Sequence, residues 1–223
     1  MKIVAFVPIK MNNERLPRKN TKSFDNGEPL VTRVLNTLSN VTEVNESYVY
    51  CSNPEIQKYI PSTAKYLVRS ESLDQSTTKI NEVISSFISD VEADVYVLVH
   101  ATAPFISTES ISEGVRAVLS GKNDSALSVS KIQDFLWKDG KPFNYSLDSI
   151  PRTQDLEPIY EETSGFYVFT KELAEKENRR VGHKPFLVEV SKIEASDIDN
   201  SIDFEIANAI YNNIILPKEK KNK

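Results

Sequence analysis

Residues 10 to 22 form a dense group of cationic and amide side chains directly after an apolar run. Nine of these thirteen positions carry a charged or amide residue: Lys10, Asn12, Asn13, Glu14, Arg15, Arg18, Lys19, Asn20 and Lys22. A lysine offers a mobile charge with three donors, which suits phosphate oxygens, and an asparagine amide both donates and accepts, which suits a nucleobase edge. The pattern indicates a phosphate site, and a solvated surface turn is the alternative.

A second informative stretch is IEASDIDNSIDFEIANAI, which ends at residue 210. Asp197 and Asp199 are separated by one residue, so on an extended chain both carboxylates point to one side. Two carboxylates suit Mg²⁺ when phosphates and waters complete its octahedron. The alternative is a helix cap, in which Asn200 or Ser201 caps the following helix and Asp203 lies near its positive end. Both roles are compatible, and the cap explains Asp203 better.

Alternating strands and helices are predicted to position these groups. The predicted strands cover residues 3–9, 46–52, 65–69, 94–100, 125–130, 165–170, 186–190 and 194–198. The predicted helices cover 30–38, 78–91 and 107–119, and the second has a single apolar stripe. This alternation predicts an α/β fold with a mostly parallel sheet covered on both faces. Ligands then bind beyond the carboxyl ends of its strands.

Residues 131–163 interrupt the alternation. They contain the only tryptophan, Trp137, and three prolines, with little periodicity. A long irregular segment in a compact domain is usually functional or part of a subunit interface. We interpret residues 1–223 as a single domain, with 131–163 as an inserted arm for dimerisation or substrate contact.

Composition restricts the classes of function. The formal net charge of −5 argues against a nucleic-acid-binding protein. The sequence lacks a run of about 18 apolar residues, so no membrane span is expected. Cys51 is the only cysteine, which rules out an intrachain disulfide and predicts a reducing compartment, the cytoplasm.

The two polar stretches carry a family resemblance. FVPIKMNNERLPRKN and the later GEPL resemble the N-terminal signature of the cytidylyltransferases that activate acidic sugars, the acylneuraminate (sialic acid) enzymes and their ketodeoxyoctonate relatives. The positions that match are Leu16, Pro17, Lys19, Asn20, Gly27, Pro29 and Leu30. Lys10 stands where the family usually has arginine and Asn13 where it usually has serine. The pair Asp197 and Asp199 resembles the family's C-terminal metal motif.

The resemblance implies a three-layer α/β/α fold with a Rossmann-like sheet of the nucleotide-diphospho-sugar transferase type. It implies that Lys10 and Lys19 hold the phosphates of CTP and that Asp197 and Asp199 bind Mg²⁺, and these four residues form the expected catalytic set. Asn20 is expected to contact cytosine. Because RSESLDQSTTK resembles the loop that meets the nucleotide, the expected nucleotide-binding set is Lys10, Asn12, Asn13, Lys19, Asn20, Arg69, Ser76 and Thr77.

The residues expected to bind the acceptor sugar lie in LVHATAPF and in the inserted arm. LVHATAPF places His100 where the family often has a glutamine against the sugar, and a structural histidine is the alternative. Thr102 is expected in the pocket wall and Glu162 beside the sugar. Lys138 or Arg152 is expected to pair with the sugar carboxylate, with surface salt bridges as the alternative. In the family a comparable arm pairs two subunits, which implies a homodimer.

These observations predict a CTP-dependent enzyme that transfers CMP to the anomeric hydroxyl of an acidic sugar, such as a sialic acid or another nonulosonic acid, and releases pyrophosphate. One alternative is a nucleotide-sugar-dependent glycosyltransferase, although its Asp-x-Asp pair normally lies mid-chain. The other alternative is a non-catalytic nucleotide-binding protein of the same fold, marked by the departures at Lys10 and His100.

Overall fold

The computed structural model describes residues 1–221, in which strands and helices alternate. The strands are β1 Ile3–Ile9, β2 Glu46–Cys51, β3 Lys65–Val68, β4 Val95–Val99, β5 Ser125–Ile132, β6 Trp137–Lys138, β7 Lys141–Pro142, β8 Ile159–Thr170 and β9 Pro185–Glu189. The helices are α1 Leu30–Ser39, α2 Ile80–Asp90, α3 Thr108–Leu119, α4 Lys171–Glu177, α5 Ser201–Ile210 and α6 Leu216–Lys221. A π-helical turn, Tyr211–Ile215, joins α5 to α6.

The central sheet within residues 1–221 has seven strands in the order β3-β2-β1-β4-β8-β5-β9. Strand β8 runs antiparallel to its neighbours β4 and β5, and the other neighbouring pairs are parallel. The carboxyl ends of the parallel strands therefore meet at one edge. Phe166 of β8 pairs with Val99, the last residue of β4, so the first half of β8 extends past β4 at this edge.

Helices cover both faces of the sheet, which confirms the predicted three-layer α/β/α fold. One face packs against α1 and α3 through Val31, Val34, Leu35, Leu38, Ile111, Val115 and Val118. The other packs against α2 and α4 through Val83, Ile84, Phe87, Leu173 and Ala174. Strands β1 and β4 are buried almost throughout, as their continuous apolar sequences predict. Burial of each large apolar side chain contributes roughly 1.5–3 kcal/mol.

A third apolar cluster holds the loop after β1 against the C-terminal helices. The ring of Phe24 stacks on Tyr211 at 4.5 Å and on Phe204 at 5.9 Å between centroids. Leu16, from the cationic loop itself, belongs to the same cluster. The polar loop therefore has an apolar anchor on its underside, which a freely solvated turn lacks.

The predicted strand at 194–198 is wrong. Residues 192–195 form a turn, in which Ala195 N donates to Ser191 O at 2.9 Å. The Glu194 carboxylate accepts hydrogen bonds from Ser107 and Ser110 at the start of α3 and from Ser191. These distant partners hold the turn.

The arm is shorter than predicted because the strands beside it are longer. Strand β5 continues to Ile132 and β8 begins at Ile159, so only residues 133–158 leave the sheet. Within them, β6 and β7 form a small hairpin with Gly140 at a φ of 74°. We use "arm" for residues 133–158 from here on.

A bulge bends β8 where it leaves β4. The register between β5 and β8 shifts between Leu127 and Val129, and Ser164 adopts a φ of 57°. A Cβ atom on Gly165 would lie 2.9 Å from Ser128 Oγ, so glycine allows the close approach of this backbone to Ser128.

No helix in the described part of the chain combines the length and the apolar character needed to cross a bilayer.

Candidate active site

Most of the predicted site residues lie at the carboxyl edge of the sheet. Lys10 follows β1, Arg69 follows β3 and His100 follows β4, each directly after the last strand residue. The extended segment around Asp197 joins this edge because Ile198 N donates to Thr102 O at 2.9 Å. Residues far apart in sequence therefore surround one cleft.

Two adjoining cavities occupy this cleft. The smaller, about 370 Å³, is lined by Lys10, Asn13, Glu14, Arg15, Leu16, Lys19, Ser76 and Asp199. The larger, about 560 Å³, is lined by Lys10, Met11, Asn12, Glu14, Ser52, Asn53, Pro54, Glu71, Asp74, Gln75 and Ser76. They share Lys10, Glu14 and Ser76. We call them the phosphate cavity and the base cavity, after the groups that their linings suit.

Lys19 and Asp199 form the central ion pair of the phosphate cavity. Lys19 Nζ donates to Asp199 Oδ1 at 3.0 Å, and Arg15 Nη1 donates to Asp199 Oδ2 at 3.1 Å. The Lys19 side chain is only 12% exposed. Burial alone would raise the pKa of Asp199, but the Lys19 hydrogen bond and charge, assisted by Arg15, outweigh it and lower that pKa.

Asp197 lies beside this pair and has no salt-bridge partner among residues 1–221. Ile198 is fully buried, whereas Asp197 is exposed and Asp199 partly exposed, as expected for an extended segment with both carboxylates on one side. Although the residue keeps an exposed surface, the surroundings of its carboxylate desolvate it and raise the pKa of Asp197; the Thr102 hydroxyl opposes this rise, the negative charge of Asp199 adds to it, and the charge of Lys19 opposes it. The Thr102 side chain thus contacts the acidic pair.

The predicted cap after this pair is confirmed. The Asn200 side chain accepts from Ile202 N and Asp203 N, while Asp203 accepts from Asn200 N. Asp203 also accepts from Asp199 N at 2.9 Å. The cap therefore fixes the backbone that carries Asp199, in addition to starting α5.

Two asparagines of the first loop, residues 10–22 after β1, have enclosed side-chain atoms. Asn20 is buried, and its Nδ2 donates to the Lys10 carbonyl oxygen at 2.9 Å, which ties the two ends of the loop together. Asn13 Oδ1 is buried without a hydrogen-bond partner among residues 1–221. A buried unpaired acceptor facing a polar cavity is a binding position for a ligand donor or water. Asn12 lines the base cavity.

The loop after β3, residues 69–79, contributes one predicted residue to both cavities and a buried ion pair that supports the base cavity. Ser76 lines both cavities, whereas the exposed Thr77 lines neither. Arg69 is buried and pairs with Asp74 at 2.7 Å, and Asp74 also accepts from the Ser52 hydroxyl at 2.5 Å. Arg69 thereby holds Asp74 and Ser52, two residues of the base cavity wall.

His100 lies at the carboxyl edge directly after β4 and lines neither cavity. Its Nε2 is enclosed and has no hydrogen-bond partner in the described residues. Burial, followed by the positive charges of Arg180 and Lys19, lowers the pKa of His100 to about 4. The imidazole is therefore neutral at neutral pH. Its ring meets Tyr167 edge-on, with centroids 6.3 Å apart.

Glu162 belongs to a cluster that the sequence does not reveal. Its carboxylate accepts from the Tyr167 hydroxyl and from Arg180 Nη2, the latter at 3.0 Å. The Arg180 guanidinium carbon lies 3.7 Å from the centroid of the Tyr167 ring. We call His100, Glu162, Tyr167 and Arg180 the acceptor corner. Arg180 was not among the predicted site residues.

Comparisons with known proteins show the family of the chain. A family model described as Cytidylyltransferase matches residues 4–221. The chain belongs to the cytidylyltransferase family. The resemblance carried by the first loop and the acidic pair is therefore confirmed.

Curated relatives of this cytidylyltransferase include enzymes of acylneuraminate activation. N-acylneuraminate cytidylyltransferase A of Danio rerio is 27% identical over 92% of this chain and 50% of the relative. The N-acylneuraminate cytidylyltransferase of Streptococcus agalactiae serotype V is 22% identical over 99% of this chain and 56% of the relative. The chain thus spans about half the length of these curated relatives.

Solved structures support the fold of the cytidylyltransferase. A CMP:2-keto-3-deoxy-manno-octonic acid synthetase complexed with CTP superposes with a TM-score of 0.73 at 16% identity, covering 95% of this chain and 99% of the other. A 4-diphosphocytidyl-2C-methyl-D-erythritol synthase from Anaerococcus prevotii gives 0.65 at 17% identity, covering 95% and 96%. At these identities they show the fold alone.

The two cations predicted to bind the sugar carboxylate lie in the arm of the cytidylyltransferase. Lys138 is exposed in the β6-β7 hairpin. Arg152 is 73% exposed and makes a bidentate pair with Asp155, at 2.8 and 3.0 Å. Neither lines the cleft of its own chain as described.

Proposed function

We propose that this cytidylyltransferase transfers CMP from CTP to the anomeric hydroxyl of an acidic sugar, a sialic acid or another nonulosonic acid. The hydroxyl oxygen forms a bond to the α-phosphorus, the bond from that phosphorus to the β-phosphate oxygen breaks, and pyrophosphate leaves. The hydroxyl proton is lost to solvent. The observation that carries the proposal is the phosphate cavity, in which Lys10 and Lys19 lie beside Asp199 and next to a second cavity of nucleoside size.

The lysines supply the positive charge that this reaction needs. Phosphoryl transfer spreads negative charge over the phosphate oxygens, so catalysis depends mainly on positioning and electrostatic stabilisation. Lys19 is held by Asp199 and is mostly buried, which keeps its ammonium in one place and strengthens its field. Lys10 lies between the two cavities and can contact phosphates on either side.

The acidic pair suits Mg²⁺. Asp197 has no ion-pair partner within residues 1–221 and its pKa is raised partly by the charge of Asp199, which is the imbalance that a cation would relieve. No cluster of three acidic, His or Cys ligands exists in the described chain, so phosphate and water oxygens would complete the coordination. Bound there, Mg²⁺ would neutralise charge on the α-phosphate.

A homodimer is the proposed assembly. Large apolar side chains of the arm are exposed, namely Phe135, Trp137, Phe143, Leu147 and Ile150. A contiguous exposed apolar surface favours a protein partner, and a second copy would bring Lys138 and Arg152 toward another cleft. Trp137→Ser is expected to weaken the dimer at least about tenfold, since buried tryptophans dominate interface energies. Light scattering coupled to size exclusion checks this, and a dimer unaffected by the substitution contradicts it.

The cytoplasm is the proposed compartment. The sole cysteine, Cys51, is buried and unpaired, which agrees with a reducing environment. Cell fractionation of the native host tests this.

The test of the reaction is pyrophosphate release. ATP, CTP, GTP and UTP are each offered with Mg²⁺ and a panel of acidic sugars: N-acetylneuraminic, legionaminic, pseudaminic and ketodeoxyoctonic acids. We expect release with CTP and one of these acids, and formation of the CMP-sugar by mass spectrometry.

Asp199→Ala is expected to lose this release, whereas Glu205→Gln, which removes an exposed carboxylate on α5, is expected to keep it. A folded protein that binds CTP but releases no pyrophosphate with any pair would contradict the transferase proposal. Such a result would favour the nucleotide-binding alternative.

A further inference from the structure

The acceptor corner contains a cation whose place in the proposed reaction is unassigned. An acidic sugar carries a carboxylate, and a site that recognises it needs a positive charge near the acceptor hydroxyl. The predicted candidates Lys138 and Arg152 lie in the arm, and Arg152 is already paired with Asp155 by two hydrogen bonds. Arg180 lines neither cavity, but it lies over the Tyr167 ring, whose edge meets His100 directly after β4.

Arg180 is held in a fixed orientation. Its guanidinium carbon lies 3.7 Å from the Tyr167 centroid, and its side chain is 22% exposed. The Glu162 carboxylate fixes Nη2 at 3.0 Å and is itself held by the Tyr167 hydroxyl. An arginine stacked on an aromatic face with one anchored nitrogen has few rotamers left to lose when a ligand binds.

The anchored guanidinium keeps donors for a ligand. Within residues 1–221, Arg180 has one hydrogen bond, from Nη2, so Nε and Nη1 have no protein partner. Nε and Nη1 do not share an edge, but either of them forms an edge with the second N–H of Nη2, and such an edge matches a carboxylate. The ion pair with Glu162 leaves Arg180 able to bind a second carboxylate, because the Tyr167 hydroxyl also donates a hydrogen bond to Glu162 and so stabilises part of its negative charge.

His100 connects Arg180 to the phosphate cavity. Both His100 and Arg180 pack against the Tyr167 ring, His100 at its edge and Arg180 over its face. The enclosed Nε2 of His100 lacks a partner among residues 1–221, and the positive charges of both Arg180 and Lys19 act on this imidazole. A sugar bound at the carboxyl edge beside His100 would have its carboxylate near Arg180 and its anomeric carbon toward Lys19 and the phosphates.

We propose that Arg180, oriented by Tyr167 and Glu162, binds the carboxylate of the acidic acceptor and selects for acidic over neutral sugars. This inference rests on the proposed transfer to an acidic sugar and names the residue that reads its charge.

The experiment compares Arg180→Met with Arg179→Met, a neighbour that is 46% exposed and pairs with Glu177. The substrates are CTP and the acid of the panel that the wild-type protein uses. Loss of a charge-assisted hydrogen bond predicts that Arg180→Met raises KM for the acid roughly 10- to 100-fold. KM for CTP is expected to change less than about twofold, and Arg179→Met to leave both constants near wild type. Arg180→Lys should restore only part of the loss, since it keeps charge without the fork.

A carboxamide analogue of the acid separates recognition of charge from a structural role. The wild-type protein is expected to prefer the acid, and Arg180→Met to lose that preference. An unchanged KM for the acid in Arg180→Met would overturn the proposal. So would equal rises in both KM values together with a lowered melting temperature, because these indicate damage to the fold. A rise only in Arg152→Met would assign the carboxylate to the arm.

Direct binding keeps this proposal separable from the reaction. The acids of the panel are titrated into wild-type protein and Arg180→Met by calorimetry in the presence of CTP and Ca²⁺, without turnover. If the wild type binds an acid and the variant does not, Arg180 is an acid-binding residue even where no pyrophosphate is released. If the wild type binds no acid by either readout, the Arg180 proposal is overturned.

Discussion

The first loop and the arm both carry cations on irregular backbone, yet they are held in opposite ways. In the loop, Asn20 is buried and bonds to the Lys10 carbonyl, and Leu16 packs into an apolar cluster. In the arm, Arg152 finds a partner only three residues away, and large apolar side chains face outward. The loop is therefore complete within one chain. The arm leaves apolar surface exposed, as a segment that forms an interface with another chain does.

Removal of Lys19, the central cation of the first loop, is expected to have the largest effect. Lys19→Met should lower kcat/KM for CTP by roughly 10²- to 10³-fold, as removal of a fixed donor to developing charge does. Steady-state pyrophosphate release measures it. Lys22→Met is the matched control, because Lys22 lies over the Phe204 ring and lines neither cavity. Equal losses in both variants would refute a specific role for Lys19.

The sequence predicted the elements whose evidence is local. Strands β1 and β4 are continuous apolar runs, and α2 has a single apolar stripe, so short-range patterns suffice. The turn at Glu194 was missed because its partners, Ser107 and Ser110, lie in another part of the chain. Residues 193–196 also alternate apolar and polar side chains, as a strand does.

The same contrast between local and long-range evidence separates the site residues that the sequence predicted from the one that it did not. Lys10, Lys19, Asp197 and Asp199 belong to short motifs, and the structure brings them to one edge. Arg180 has no such signal, since it is one of several cations before β9 and is defined only by its contacts with Tyr167 and Glu162. Long-range packing across the sheet face creates that site.

The next largest effect concerns the enclosed His100 and the pH dependence of the free energy of unfolding. The folded-state pKa of His100, about 4, is below the ordinary value of 6.5, so between these values the unfolded chain takes up a proton that the folded chain does not. His100 therefore lowers stability as pH falls from 6.5 to 4, by up to about 1.4 kcal/mol per pH unit, and contributes nothing above that window.

His100→Gln should remove this slope, measured as the difference in unfolding free energy between variant and wild type in urea at several pH values. The chain has only one other histidine, and His183→Gln is the control because its side chain is 68% exposed. A pH dependence identical in His100→Gln and wild type would mean that the imidazole is not enclosed.

A smaller effect tests the internal support of the loop. Asn20→Asp replaces the donor to the Lys10 carbonyl with a carboxylate, which leaves two buried acceptors facing each other. We expect a loss of about 1–3 kcal/mol of unfolding free energy and a raised KM for CTP. Asn40→Asp is matched, since the exposed Asn40 donates to the Asn36 carbonyl, and should cost under about 0.5 kcal/mol. Similar costs at both positions would place the loop's support elsewhere.

The smallest effect is expected in the arm. The Arg152 to Asp155 pair has good geometry, but at 73% and 47% exposure its charges are already well solvated. Arg152→Met should change the unfolding free energy of the isolated protomer by about 0–1 kcal/mol, and a double-mutant cycle with Asp155→Asn should give a coupling in the same range. Measured on a Trp137→Ser background, which removes an apolar side chain of the arm, and at a protein concentration where light scattering shows only monomer, the cycle reports the isolated protomer. A coupling well above this range would show that the arm, like the first loop, is organised by its own chain.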